Sequence, residues 1–242
     1  MTSPLVHPTV VRLGVRSIFG RWRGVLLFAL PVVLIGLAIL VRALVGDDQT
    51  SAEAVLYNLG LVVVVPLIAL LATSGLLASE IDDGAIAYLL AKPVSRYTIV
   101  ASKLVVALAS VLVFGAVPMG IAGLVLLPGE PSFGVGFAVG SLFGGTAYCA
   151  VFSWLSVLTR HAVVIGLIYL LIWEGLLGGL LDGIRWLSVT RWSAEVVDQI
   201  GSLDLVDDLP LAYALVALVV VLGAGVWQTG RRLQGFNLTG DE

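Results

Sequence analysis

Charge is scarce in this chain. Lys, Arg, Asp and Glu make up 12% of its 242 residues, about half of the roughly 25% usual in a soluble globular domain. That excludes an ordinary water-soluble surface. Lysine is scarcer still, present only as Lys92 and Lys103, and no GxxxxGK[ST] run occurs anywhere. A loop that cradles nucleotide phosphates needs that lysine on the β- and γ-phosphates, so the chain is not expected to carry out ATP chemistry itself. The single cysteine, Cys149, excludes an intramolecular disulfide and any Cys-rich metal site; in an apolar stretch it reads as an inert packing residue. His7 and His161 stand alone, and no metal ligand set or Ser-His-Asp set can be assembled around them. An intramembrane enzyme would need paired acids or a metal set at helical spacing, and Glu174 has no such companion. No nucleic-acid partner is expected.

What the chain has in abundance is apolar length: 59% of its residues are hydrophobic. A helix needs about 20 apolar residues to cross roughly 30 Å of hydrocarbon. Six stretches meet that description, over residues 24–45, 54–77, 104–127, 134–158, 162–181 and 210–228. The expected fold is therefore an all-α polytopic membrane protein, a single domain of six spans. The first apolar run is too long for a secretory h-region and lacks a clear small-residue cleavage site, so it reads as a retained span. Pro31 and Pro66 fall within spans and are tolerable where neighbouring helices satisfy the freed backbone groups. Pro128-Gly129-Glu130-Pro131 is the strongest chain reversal in the sequence.

Ahead of the first span, residues 9–23 place Val11, Val15, Ile18 and Trp22 on one apolar stripe. Arg12, Arg16 and Arg23 border it, which suits a helix lying among lipid headgroups. A plain positive flank of the first span would show the same arginines. Orientation follows from the basic residues of the short loops. Arg12, Arg16, Arg21, Arg23, Lys92, Arg96, Lys103, Arg160, Arg231 and Arg232 fall on one side, and Arg42, Arg185 and Arg191 on the other. Ten against three predicts that both termini face the cytoplasm.

The longest polar interruption on that side is residues 79–103, SEIDDGAIAYLLAKPVSRYTIVASK. Glu80, Asp82 and Asp83 end the second span, and Gly84 can close it in the left-handed conformation. A short helix over residues 85–91 follows, its apolar face made by Ile86, Leu89 and Leu90. Pro93 stops it, and Ser95 can cap the next helix. An apolar knob with charged borders suits a groove on a soluble partner. An ordinary loop helix folding back on its own bundle fits the same residues.

Three features remain. Glu174 is the one acid within a span, 12 residues after Ala162 and so about 18 Å along it. Intramembrane acids usually face a cavity or a partner. The two readings are a cavity-lining or gating acid, and a structural acid paired with Arg185 or Arg191 or reaching the interface; nearness to the outer edge favours the second. Gly136, Gly140 and Gly144, spaced four apart, make a small-residue face for close helix packing, within the protomer in preference to a dimer seam. Residues 182–209 predict a short helix on the outer surface, with Trp192, Val196 and Ile200 on one face, tryptophans at headgroup level, Ser193 as its cap and Gly201 as its end.

The 79–103 stretch resembles the cytoplasmic loop of ABC type-2 transporter permeases, the membrane subunits of ATP-driven exporters. The resemblance rests on Glu80, Gly84, the Ala87-Tyr88-Leu89-Leu90 run, Ala91-Lys92-Pro93-Val94-Ser95-Arg96 and Lys103. It extends to the N-terminal amphipathic segment, the six-span layout and residues 171–175. It implies a dimer of permease protomers in the cytoplasmic membrane, each bound to a separate cytoplasmic ATPase subunit that holds the ATP and magnesium. It also implies that the loop helix, with Glu80, Asp83, Gly84, Ile86, Tyr88, Leu89, Leu90, Lys92, Pro93 and Arg96, couples the ATPase to the spans. A membrane scaffold that docks a soluble partner without transport is the alternative. The cargo is not legible.

Overall fold

The computed structural model of the chain describes residues 22–76, 96–159, 161–177, 186–206 and 209–235. Seven helices account for most of them. Helix α1 is Trp22–Val45. Helix α2 runs end to end through Gln49–Val55, a π-helical Leu56–Val64, and Val65–Leu76. Helix α3 is built the same way from Arg96–Ser110, a π-helical Val111–Ala116, and Val117–Leu126. Helix α4 is Pro131–Leu158. Helix α5 joins Ala162–Tyr169 to a π-helical Leu170–Leu177. Helix α6 is Val189–Gly201, and α7 is Leu211–Gly235.

Five of these, α1, α2, α3, α4 and α7, contain stretches long and apolar enough to cross a membrane. The apolar part of α5 is shorter. Long apolar side chains line the outside: Val25, Val32, Val33, Ile39 and Leu44 on α1, and Val216, Val219 and Val220 on α7. Faces of that extent would aggregate in water. In hydrocarbon they are the ordinary boundary with lipid, and the protein is a multi-helix membrane protein.

Helix α4 is the hub, packing against α2, α3, α5, α6 and α7. Phe133, Phe137, Tyr148 and Phe152 are among its fully buried side chains. Phe133 and Phe137 pair at 5.0 Å, and Phe152 stands edge-on to Tyr169 of α5 at 6.1 Å. Helix α1 joins the bundle through α3, where Phe28 meets Phe114 edge to face at 4.9 Å.

The prolines do not break the spans. Pro31 sits inside an uninterrupted α1. Pro66 and Pro118 each follow a π-helical run, and the residue before each donates five residues back, Val65 to the Gly60 carbonyl and Val117 to the Leu112 carbonyl. A widened turn ahead of proline makes room for a ring that would otherwise clash with the preceding turn. The third π-helical run, Leu170–Leu177, contains no proline.

The α3–α4 reversal is tight because two backbones touch. A Cβ at Gly123 would lie 2.6 Å from Gly134 Cα, and one at Gly134 would lie 2.9 Å from the Gly120 carbonyl oxygen. Pro131 takes the first turn of α4, where its missing N–H costs nothing. Nearby, the Arg42 guanidinium pairs with Asp47 and also donates to the Leu126 carbonyl at 3.2 Å. That ties the end of α1 to the end of α3, and a cation suits the exposed carbonyls of a helix C-terminus.

Candidate functional site

The predicted coupling residues Glu80, Asp83, Gly84, Ile86, Tyr88, Leu89, Leu90, Lys92 and Pro93 lie outside the described residues. So do Arg12 and Arg16 of the predicted interfacial helix. Trp22 and Arg23 open α1 and Arg96 opens α3, with side chains outside the described set. The structure brings together the remaining candidates, Glu174 and the three glycines, around a helix whose placement the sequence did not reveal.

That helix is α6. Its buried residues include Val189, Trp192, Ser193, Val196 and Val197. It packs closely against α4. It runs antiparallel along α4, with Ser193 and Val189 beside Gly144, Val197 beside Gly140 and Gly201 beside Gly136. Gly144 is 13 residues after Pro131, about 20 Å into α4 at ~1.5 Å per residue, so α6 starts near the middle of that helix and climbs back to its Pro131 end. Trp192 is only 3% exposed; its indole N–H donates to the Trp186 carbonyl at 2.7 Å. Trp192 thus packs inside the bundle. The cause is the glycine face of α4, which lets a second helix approach to backbone distance and bury its own amphipathic side.

The three glycines form the floor of this contact. A Cβ at Gly136 would come within 3.1 Å of the Val197 carbonyl oxygen. One at Gly140 would meet the Val197 side chain at 2.4 Å and the Ser193 carbonyl oxygen at 2.7 Å. One at Gly144 would collide with the Ser193 hydroxyl and lie 3.0 Å from Ser193 Cβ. The stripe thus faces α6 of the same chain.

Glu174 holds the other end of α6. It projects from the π-helical part of α5 and is almost fully buried. Its Oε2 accepts the Ser188 hydroxyl at 2.5 Å, and its Oε1 accepts the Val189 backbone N–H at 3.0 Å. Ser188 is the cap of α6: its hydroxyl oxygen accepts the Arg191 N–H at 3.3 Å. The acid therefore sits where a helix N-terminus presents unpaired N–H groups and positive potential, an arrangement favourable to a carboxylate. At the next residue, Thr190 of α6 shares a hydroxyl–hydroxyl bond of 2.8 Å with Tyr148 of α4.

At the far end of α6, the Asp198 carboxylate accepts the Leu205 N–H at 3.0 Å from both oxygens and the Val206 N–H at 3.0 Å. Burial pushes its pKa up to about 6, against the opposing pull of those two backbone donors. Ser202, at φ 54°, is the left-handed residue that lets the chain turn back after Gly201.

Sequence reasoning missed Ser188, Tyr148 and Thr190. A capping box carries Glu or Gln three residues after its serine, but Arg191 occupies that position after Ser188. The acid arrives from 14 residues upstream instead. No pattern within the helix could therefore separate Ser188 from Ser193 as the cap. Among the described residues no group of His, Cys, Asp and Glu could hold a metal ion.

Residues 22–232 match the family model of the ABC-2 family transporter protein. The chain belongs to that family. The match covers α1 through nearly the whole of α7 and includes both α6 and the 79–103 loop. No curated protein matches the sequence. As an ABC-2 family membrane protein, the chain is a transport subunit, and side-chain hydrogen bonds, in addition to apolar packing, hold α6 in its bundle.

Proposed function

We propose that this protein is the permease subunit of an ABC exporter. It would move a substrate across the cytoplasmic membrane by alternating access, driven by ATP hydrolysis on a separate subunit docked at residues 79–103. In this reading the chain has six spans with α5 as the fifth, both termini lie in the cytoplasm, and two protomers form the path. The ABC-2 family match over residues 22–232 carries the reading. The inside-positive distribution of Lys and Arg supports the orientation, and a sequence without a GxxxxGK[ST] loop supports a separate ATP-binding partner.

The proposed coupling runs through Gly84 to Arg96. Leu89 and Leu90, between Gly84 and Pro93 in the sequence, would seat in the ATPase, and Glu80 and Asp83 would border the contact. The test is purification from native membranes, followed by reconstitution and a screen for compounds that stimulate ATP hydrolysis. An ATPase that co-purifies, and whose rate depends on this chain, is the expected result. Reproducible purification without an ATPase, or with ATP hydrolysis indifferent to this chain, would leave a membrane scaffold as the better reading.

A further inference from the structure

Of the five long apolar helices, α7 is the least enclosed by the bundle. Its inner side is fixed by close contact. A Cβ at Gly225 would lie 3.0 Å from both the Cβ and the carbonyl oxygen of Ala150 on α4, and Val226 packs with Val100 of α3 and Val157 of α4. That contact turns the opposite side outward. Leu215, Val219, Gly223, Trp227 and Arg231 recur every four residues along it, and all five are exposed. Residues at that spacing form a continuous ridge on a helix surface.

The ridge changes character along its length. Leu215 and Val219, with Val216 and Val220 beside them, present bare hydrocarbon. A Cβ at Gly223 would meet nothing within 4 Å, so the ridge dips there. Beyond the dip stands Trp227, 51% exposed, with the Arg231 guanidinium carbon 4.5 Å from its ring centroid. Arg231 comes 20 residues after Leu211, the first residue of α7, or about 30 Å along it at ~1.5 Å per residue. The hydrocarbon core of a bilayer is of that thickness. A helix that enters it at Leu211 therefore brings Arg231 out among the headgroups, with the Trp227 ring just inside them.

These features together suit a lipid. An indole is favoured at headgroup level, and its face attracts a guanidinium. The ring restrains Arg231, so less freedom is lost when its N–H fork takes the oxygens of a phosphate. Among the described residues no carboxylate pairs with Arg231. A dissolved phosphate could use the guanidinium but not the apolar ridge, whereas a lipid uses both. A zwitterionic headgroup brings its own ammonium to the phosphate and gains less from Arg231 than an anionic one does.

We propose that the Arg231 end of this ridge binds an anionic phospholipid in preference to a zwitterionic one, its phosphate on Arg231 and an acyl chain in the dip at Gly223, between Val219 and Trp227. In the topology proposed above, this lipid belongs to the cytoplasmic leaflet. The binding itself requires only that the chain sits in a bilayer, and holds with or without an attached ATPase.

The experiment uses the full chain in nanodiscs of phosphatidylcholine. Tryptophan fluorescence is titrated with phosphatidylglycerol, or in parallel with phosphatidylcholine, carrying bromine near the headgroup end of the acyl chains, where it quenches on contact. Trp227→Phe keeps the ridge apolar and supplies the signal of the other five tryptophans, so the difference reports Trp227. The expected result is half-quenching of that component at a several-fold lower mole fraction of the brominated phosphatidylglycerol. Arg231→Gln, at an exposed position, should bring the two titrations together. Coincident titrations in the wild type would overturn the proposal, with Trp227 then touching ordinary boundary lipid. A gap that survives Arg231→Gln would overturn it too, since another arginine would then hold the headgroup. Quenching of Trp227 by neither lipid would place a second protomer over the ridge and equally end the proposal. None of these results bears on the permease reading, which stands or falls with the ATPase.

Discussion

The carboxylate of Glu174 lies 3.0 Å from the backbone N–H of Val189, the first residue of α6. One acid on one helix thereby ends the N-terminus of another, with the Ser188 hydroxyl on its second oxygen. Removing the acid leaves a buried N–H without its acceptor, which costs about 1–3 kcal/mol. Glu174→Ala should lower the thermal unfolding midpoint of the detergent-solubilised protein. Glu174→Gln should recover most of the loss, because its amide oxygen accepts the same N–H. Equal midpoints for the wild type and Glu174→Ala would show that the bond contributes nothing.

The glycine floor predicts two different mutational responses. At Gly144 the nearest obstacle is the Ser193 hydroxyl, so the cost of Gly144→Ala should be relieved in part by Ser193→Ala in a double-mutant cycle, the Ser193 Cβ at 3.0 Å remaining. At Gly140 a backbone oxygen lies 2.7 Å from the new Cβ. Val197→Ala should therefore leave Gly140→Ala destabilised by about 1–3 kcal/mol, the range for overpacking. Equal rescue at both sites would contradict the backbone contact.

Asp198 gives a pH dependence of definite sign. Its folded pKa is pushed up to about 6 from the usual carboxylate value of 3.8, chiefly by burial. Between those values the folded protein binds more protons than the unfolded chain, so this group's contribution to stability falls as pH rises from about 4 to about 6 and is level above. Asp198→Asn should flatten that slope while keeping an oxygen for the Leu205 and Val206 N–H groups. Unfolding midpoints of the two proteins across pH 4–8 test it, and parallel profiles would remove Asp198 as the cause. The group is partly exposed, so the effect is modest.

Coupling at residues 79–103 predicts that Leu89→Asp, or charge reversal at Glu80 with Asp83, weakens ATPase retention and uncouples ATP hydrolysis from transport. The bundle itself should stay folded, since these substitutions fall outside the spans. Normal retention of the ATPase by these variants would move the docking site elsewhere.

Orientation is testable with one thiol at a time. Cys149 has no exposed surface and should resist maleimides from either side. A thiol from Gly129→Cys, with open space around it, should react with a membrane-impermeant maleimide in intact cells. One from His161→Cys, exposed at the start of α5, should react only after permeabilisation. The reverse pattern would invert the topology.

Much of the molecule was legible without coordinates because a membrane imposes a simple rule. Backbone groups in hydrocarbon must bond within their own segment, so long apolar runs become helices whatever their neighbours do. That rule, the Pro128–Pro131 reversal and the glycine spacing of α4 follow from residue order alone. The partner of the glycine face does not. A four-residue glycine repeat says that something approaches closely but not what. That α6 fills it was decided by a long-range contact between residues some 50 positions apart in the chain, such as Gly144 and Ser193. The fate of Glu174 was likewise hidden. Its partners are a backbone N–H and a serine, groups that occur everywhere in a sequence and acquire meaning only when a helix N-terminus is carried to within 3.0 Å of the acid. Periodicity records which face of a helix is buried, whereas only the folded bundle selects what buries it.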